Sequence, residues 1–204
     1  MRARLGILFA DLEVGLREIV LKNKPEQMLA ISPKGTVPVL ELAEDDNGNR
    51  RVIEESREIL EWALQQNDPQ GLLSVDLARA NALMDRNDSE FKYWLDRYKY
   101  ADRHPELSQQ EYRQKGEEFL RELEDLLANN RYLLGDAISI ADIGIVPFVR
   151  QFAHVDREVF YALPYPKLQE WLREWLEHPT FKQVMVKYQP WQEGDEVVRF
   201  PGAQ

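Results

Sequence analysis

A proline-opened strand in the N-terminal third has the residue types needed to bind an extended peptide. Gly35-Thr36-Val37-Pro38-Val39-Leu40 places Pro38 at the start of an apolar run, where it cannot donate to a sheet ladder. A cis Val37–Pro38 bond would turn the main chain of Val37 outward, leaving its N–H and C=O free to pair with a peptide. A trans proline in an edge strand is the alternative.

A second pair, Glu55-Ser56, falls where a predicted strand gives way to a predicted helix. The first N–H groups of a helix are unpaired and carry partial positive charge, so they favour a carboxylate, and the hydroxyl of Ser56 adds a donor. Glu55 can accept from an ammonium group. Together the two residues suit the α-amino acid end of a ligand, whereas ordinary capping by Ser56 is the competing interpretation.

Three aromatic residues and one lysine extend this set. Phe91, Trp94 and Tyr98 share one face of a predicted helix, which is typical of a core and less often of a ligand pocket. Lys24 stands just before a predicted helix, where it is solvated or meets a ligand carboxylate.

Ser139 and Asp142 precede an apolar helix and predict a capping box with a structural role, in which aspartate replaces the usual glutamate or glutamine.

Composition limits the remaining chemistry. The 204 residues include 26 Lys+Arg and 36 Asp+Glu, giving a formal charge of −10, which disfavours nucleic acid and anionic membrane surfaces as partners. With no cysteine, disulfides, thiolate metal sites and a cysteine nucleophile are excluded, and the three histidines lack metal-ligand spacing, so no metal is expected. No signal peptide or membrane span is apparent, which predicts a cytoplasmic protein.

Hydrophobic periodicity changes near residue 67, which predicts a mixed α/β domain followed by an all-α one. The Asn47-Gly48 pair predicts a hairpin turn, and 68–73 are predicted to be a linker between domains 1–67 and 74–204. The first domain is predicted to contain helices 2–12, 26–31 and 56–66 and strands 14–21, 37–42 and 51–53. The second is predicted to contain helices 75–102, 108–128, 140–153, 166–177 and 180–188 and an irregular tail, 189–204.

In this order and spacing, the motifs resemble one family. KNKPEQMLAISPKGTVPVLEL followed by VIEESREILEWAL is similar to the glutathione-binding half of the glutathione transferase family, and YLLGDAISIADIGIVPF resembles a segment of its helical domain. The resemblance runs from Arg2 to about Tyr188 and is nearest to the omega-like and related bacterial branches. It implies a thioredoxin-like N-terminal domain packed on a C-terminal helical bundle.

The resemblance also implies roles for the residues singled out above. Val37 would pair through its main chain with the cysteinyl part of glutathione, beside a cis Pro38. Glu55 and Ser56 would hold the γ-glutamyl end, and Lys24 would approach the glycine carboxylate. Glutathione would be the co-substrate, and a pocket for a hydrophobic electrophile would lie between the domains, lined partly by Phe91, Trp94 and Tyr98. A homodimer is what the family suggests.

The sequence departs from the family at its beginning. MRARL resembles the helix that follows the family's activating loop, so the first strand and the Cys, Ser or Tyr of that loop are missing, and the catalytic residue is unknown. Three explanations are open: a start upstream of Met1, which we favour, a rearranged half-domain, or a strand supplied by another chain. The predicted function is a glutathione transferase; a non-catalytic adaptor of the same fold that binds a protein partner is the alternative, and a glutathione-dependent reductase a weaker one.

Overall fold

The computed structural model describes residues 1–44, 48 and 50–202, which form two units. Unit 1 comprises Met1–Gln70 together with Pro179–Gln204, and unit 2 comprises Gly71–His178. The break after Gln70 falls within the predicted linker. Of the predicted hairpin turn, Asn47 lies outside the described residues.

Unit 1 begins with the predicted alternation of short helices and strands. The helices α2 and α3 have the predicted bounds, whereas the strands are shorter than predicted. Strand β1 ends at Leu16 because the residues after it join only isolated bridges, and β2 begins after Pro38, which has no N–H for a ladder. The elements are α1 (Arg2–Phe9), β1 (Val14–Leu16), α2 (Glu26–Ile31), β2 (Leu40–Glu41), β3 (Val52–Ile53) and α3 (Ser56–Gln66).

The core of unit 1 forms where α1 packs on α3. The apolar stripes of both helices are buried, including Leu5 and Phe9 of α1 and Leu60 of α3. The helices approach closely because Gly6 has no side chain: a Cβ there would lie 2.8 Å from the Cα of Leu60. Beside this core, β2 and β3 pair antiparallel with Leu40 opposite Ile53, which sets the register of the segments that flank the candidate site.

Unit 2 is helical throughout the elements described. The predicted helix 75–102 is present as two α-helices joined by a π-helical turn, followed by a single 3₁₀ turn. One short helix was not predicted from the sequence. It begins after Asp156, whose side chain accepts a hydrogen bond from the N–H of Val159. The elements are α4 (Leu77–Arg86), the π turn (Asn87–Phe91), α5 (Lys92–Lys99), the 3₁₀ turn (Ala101–Arg103), α6 (Gln109–Leu127), α7 (Ile140–Ala153), α8 (Arg157–Ala162) and α9 (Pro166–Glu177).

The C-terminal segment returns to unit 1, which corrects the prediction of an irregular tail on the helical domain. It contains α10 (Pro179–Val184) and β4 (Val198–Phe200), and β4 pairs antiparallel with β1, Val14 opposite Phe200. Strand β4 buries Phe200, which is 1% exposed, whereas Val198, on the same side of the strand, remains exposed.

One arginine ties this tail to the first helix. The guanidinium of Arg4 lies 5.4 Å from the ring centre of Tyr188 and 5.6 Å from that of Phe200, and its Nη2 is 2.6 Å from the carboxylate of Glu18. The main chain of Glu18 in turn accepts from the N–H of Trp191 at 2.7 Å. Cation–π contacts of this kind contribute about 0.5–1 kcal/mol each at exposed sites.

Candidate functional site

The main chain at Val37 has the cis bond and the unpaired hydrogen-bonding groups that the resemblance implied. The Val37–Pro38 peptide bond is cis, and the Val37 side chain is 45% exposed. Within the described part of the chain, neither the N–H nor the C=O of Val37 has a hydrogen-bond partner. Since main-chain groups normally find partners, this pair is available to an added strand or an extended ligand.

Strand and helix meet at the second predicted site. Strand β3 ends at Ile53, Glu55 takes an extended conformation, and α3 begins at Ser56. Ser56 is therefore the first helical residue and not the cap, and this helix end has no side-chain capping bond. Capping by Ser56, the competing interpretation, is therefore not observed, and the N–H of Ser56 has no hydrogen-bond partner among the described residues.

The register of the β2–β3 pair brings the two sites together. Leu40 lies opposite Ile53 in this antiparallel pair, so Val37, three residues before Leu40, and Ser56, three residues after Ile53, leave the ladder at the same end. The segments also touch through side chains, because the buried Ser32 donates its hydroxyl to Glu54 at 2.5 Å. The unpaired main chain of Val37 and the start of α3 therefore lie at the same end of the β2–β3 pair.

Glu55 has an ammonium partner, but it belongs to the protein. The Nζ of Lys34 donates to Glu55 Oε1, and the hydrogen bond and charge of Glu55 raise the pKa of Lys34. The sequence predicted that Glu55 accepts from an ammonium group, but Lys34 was not identified as the residue that carries it. The available signal was a lysine in the turn SPKG, three residues before Val37.

Lys24 borders the same turn. Gly35 has a φ of +64°, the left-handed region that favours glycine, and a Cβ placed on it would lie 3.7 Å from Cδ and 3.9 Å from Cε of Lys24. The stem of Lys24 therefore runs alongside the turn that precedes Val37. All five residues predicted to bind glutathione thus fall on two adjoining segments of unit 1 and the lysine beside them.

The predicted pocket residues of unit 2 are mostly core. Phe91 is fully buried, with its ring centre 5.0 Å from that of Phe119 and 5.5 Å from that of Phe152. Tyr98 is also buried, 4.9 Å from Phe152, so neither ring presents a surface to a ligand. Trp94 is half-buried. For Phe91 and Tyr98 the pocket assignment gives way to the alternative of a core stripe, because aromatic rings at helical spacing pack on neighbouring helices.

The predicted capping box is present at the start of α7. The carboxylate of Asp142 accepts from the N–H and hydroxyl of Ser139, at 2.9 and 2.6 Å, and also from the N–H of Leu133 and the indole N–H of Trp171, both at 3.0 Å. Burial raises the pKa of Asp142, and these four donors act against that rise. The site is structural, as predicted.

Metal-binding clusters and membrane-spanning helices are both absent from the described residues. No group of three or more His, Cys, Asp or Glu side chains in that part of the chain could hold a metal ion. No described helix combines the length and the apolar character required to cross a membrane.

Comparison with known families matches both halves of the chain. The glutathione S-transferase N-terminal domain model matches residues 1–71, and the C-terminal domain model of the same family matches residues 92–174. The chain belongs to the glutathione transferase family. Its fold is accordingly a thioredoxin-like N-terminal domain with a helical C-terminal domain, and the predicted family and fold are both confirmed.

Solved glutathione transferases share this fold at low sequence identity. A family member from Pseudomonas fluorescens, with two glutathione bound, is 16% identical with a TM-score of 0.75, over 89% of this chain and 85% of that one. A Pseudomonas putida enzyme with glutathione disulfide bound is 18% identical, with a TM-score of 0.74, over 89% and 84%. BphK, a bacterial transferase, is 22% identical, with a TM-score of 0.70, over 89% and 90%. A comparison with curated sequences finds no match.

Proposed function

We propose that this chain binds glutathione on unit 1 and transfers its thiol to an electrophilic small molecule. The observation that carries the proposal is the unpaired main chain of Val37, which lies at the same end of the β2–β3 pair as the start of α3 at Ser56. Membership of the family supports the same ligand, and so do the glutathione-bound structures with this fold.

Each part of the tripeptide has a proposed partner. The main chain of Val37 pairs antiparallel with the cysteinyl residue, and Ser56 with the first N–H groups of α3 holds the γ-glutamyl carboxylate. Glu55 accepts from the γ-glutamyl ammonium, and Lys24 meets the glycine carboxylate. These contacts fix the position of the sulfur, and orientation is a large part of catalysis of a reaction between two substrates.

The reaction proposed is nucleophilic. The glutathione thiol gives its proton to solvent, and the thiolate sulfur forms a bond to an electrophilic carbon. In a substitution the leaving group departs with the electron pair of the bond that breaks, and in an addition the electron pair of the opened double bond takes a proton from solvent. We assign no side chain to thiol activation, because the first twelve residues contain no Cys, Ser or Tyr. A cytoplasmic homodimer with a hydrophobic electrophile, close to the omega-like branch, completes the proposal.

A second candidate is a non-catalytic adaptor of the same fold that binds a protein partner. The two candidates differ in one measurement, conjugation of glutathione to a generic aryl halide. Glutathione binding with conjugation at the uncatalysed rate, together with stoichiometric recovery of a partner protein, would favour the adaptor.

Binding is tested by titration calorimetry with glutathione. We expect Ser56→Ala to weaken binding by about ten- to a hundredfold, because a hydrogen bond to a charged group contributes about 1.5–3 kcal/mol. Ser89→Ala is the matched control, since Ser89 is exposed on the π turn of unit 2 and donates to the Asp85 carbonyl. No binding by the wild type, or equal binding by Ser56→Ala, would refute the proposal.

A further inference from the structure

Lys34 holds the carboxylate that the proposed ligand needs. Its Nζ donates to Glu55 Oε1, the group proposed to accept from the γ-glutamyl ammonium of glutathione. Both groups are primary ammonium ions, so a ligand ammonium at the same carboxylate is repelled by the charge of Lys34 until the lysine withdraws. The side chains of Lys34 and Glu55 are 52% and 56% exposed, so the lysine is able to swing into solvent without unfolding its turn.

The surroundings of Lys34 explain why it stays near Glu55 in the free protein. Its pKa is raised first by the hydrogen bond and charge of Glu55, and further by the charges of Glu54 and Glu58. The turn that carries Lys34 is held by two bonds to Ser32: the Gly35 N–H donates to the Ser32 carbonyl at 2.9 Å, and the Ser32 hydroxyl donates to Glu54. The lysine backbone is therefore fixed beside this acidic group while its side chain remains mobile in solvent.

We infer that Lys34 is a built-in competitor for the γ-glutamyl ammonium, and that it sets how tightly the site discriminates ligands that carry this ammonium. Every such ligand must displace the lysine from Glu55, whereas a ligand without the ammonium leaves the Lys34–Glu55 pair intact. The inference rests on the proposed function, and it adds a specificity-determining residue outside the set that touches the ligand.

The size of the effect follows from exposure. An exposed ion pair contributes little because water screens it, so the expected change in affinity is at most about fivefold. Lys34 therefore tunes binding and does not prevent it. Its removal should tighten binding, which is the opposite of the effect expected for a lysine that contacts an anionic ligand.

The test compares two ligands on matched variants. Lys34→Gln is expected to lower the Kd of glutathione by about two- to fivefold, and to leave unchanged the Kd of the analogue in which glutaryl replaces γ-glutamyl and the ammonium is absent. Lys22→Gln is the control, because Lys22 is an exposed lysine of unit 1 and its loss removes the same charge. In a Glu55→Gln background, the Lys34 substitution should no longer tighten binding.

The outcomes separate the inference from the proposed function. Weaker or unchanged glutathione binding in Lys34→Gln, or equal tightening for both ligands, would overturn the competitor role while glutathione binding itself stands. If the wild type binds neither ligand, the proposed function fails and the competitor role fails with it. Circular dichroism of each variant checks that the fold is intact.

Discussion

Asp142 illustrates at the residue scale how a buried charge is held in this protein. The residue is fully buried, and its carboxylate accepts four hydrogen bonds from three residues of unit 2, Leu133, Ser139 and Trp171. Isolated buried charges are strongly unfavourable, so the four donors are the reason that a carboxylate is tolerated here. They also join a loop, a helix start and helix α9 through one side chain.

We predict that Asp142→Ala destabilises the protein by at least about 3 kcal/mol, because each buried donor left unpaired costs about 1–3 kcal/mol. Urea denaturation measures the loss. Asp156→Ala is the matched control, since Asp156 is an exposed cap with one bond to the Val159 N–H, and about 1 kcal/mol is expected there. Equal losses in the two variants would contradict the role assigned to Asp142.

Tyr132 gives a prediction on pH. Its burial, followed by its hydrogen bond to the Glu174 carboxylate at 2.9 Å, raises the pKa of Tyr132 to about 12 from an ordinary value of 10. Between pH 10 and 12 the unfolded chain has lost this proton and the folded protein keeps it, so stability falls as pH rises.

The stability difference between wild type and Tyr132→Phe should therefore be constant below about pH 9 and should shift against the wild type between pH 10 and 12. Urea denaturation at a series of pH values measures it, and the other tyrosines cancel in the difference. A difference that does not change across this range would show that Tyr132 has its ordinary pKa in the folded protein.

At the scale of elements, the pairing of α1 with α3 depends on one small residue. A Cβ on Gly6 would lie 2.8 Å from the Cα of Leu60, and main chain cannot yield as a flexible side chain can. In an open helix, exchanging glycine for alanine would stabilise by about 0.5–1 kcal/mol.

We expect Gly6→Ala to destabilise instead, by about 1–3 kcal/mol, because the two helices must move apart. Thermal and urea denaturation give the sign directly. Gln65→Ala, at an exposed position of α3, should change stability by less than about 0.5 kcal/mol. A stabilised Gly6→Ala protein would contradict the close approach of Gly6 to the main chain of Leu60.

Helices were predicted from sequence more accurately than strands, because the residues that interact in a helix are close together in sequence. The bounds of α2, α3 and α7 follow from local periodicity and starting signals, such as Pro25 before α2 and Ser139 before α7. The β1–β4 ladder joins residues far apart in sequence: its neighbouring ion pair, Glu13–Arg199, spans 186 positions. No window of local sequence contains that pairing.

The candidate site divides in the same way. Glu55 and Ser56 could be found because a strand end followed by a helix start is a local pattern, and Val37 because proline restricts its own surroundings. The SPKG turn marks a lysine close to Val37, but the contact of Lys34 with Glu55 could not be predicted, since it depends on how the turn before β2 folds back on β3. Assigning Phe91 and Tyr98 to the core required knowing which helix faces meet in unit 2. Hydrophobic periodicity alone does not contain that information.

At the scale of the whole molecule, the chain is divided differently from the predicted two successive domains. Unit 2 is one continuous stretch, Gly71–His178, whereas unit 1 is assembled from a segment before it and a segment after it. The predicted break near residue 67 was located from composition and lies close to the observed one. The second break, before Pro179, was not predicted, because 180–188 continues the helical pattern of the residues before it.

This division has a consequence for biosynthesis. A ribosome delivers the chain from its amino end, and multidomain proteins generally complete their N-terminal portion first. In this protein the order is reversed. All residues of unit 2 have been synthesised once His178 is added, whereas the hydrogen-bonding partner of β1 is incomplete until Phe200 has been synthesised. The nascent polypeptide thus exposes the unmatched edge of β1 from the synthesis of Leu16 until that of Val198.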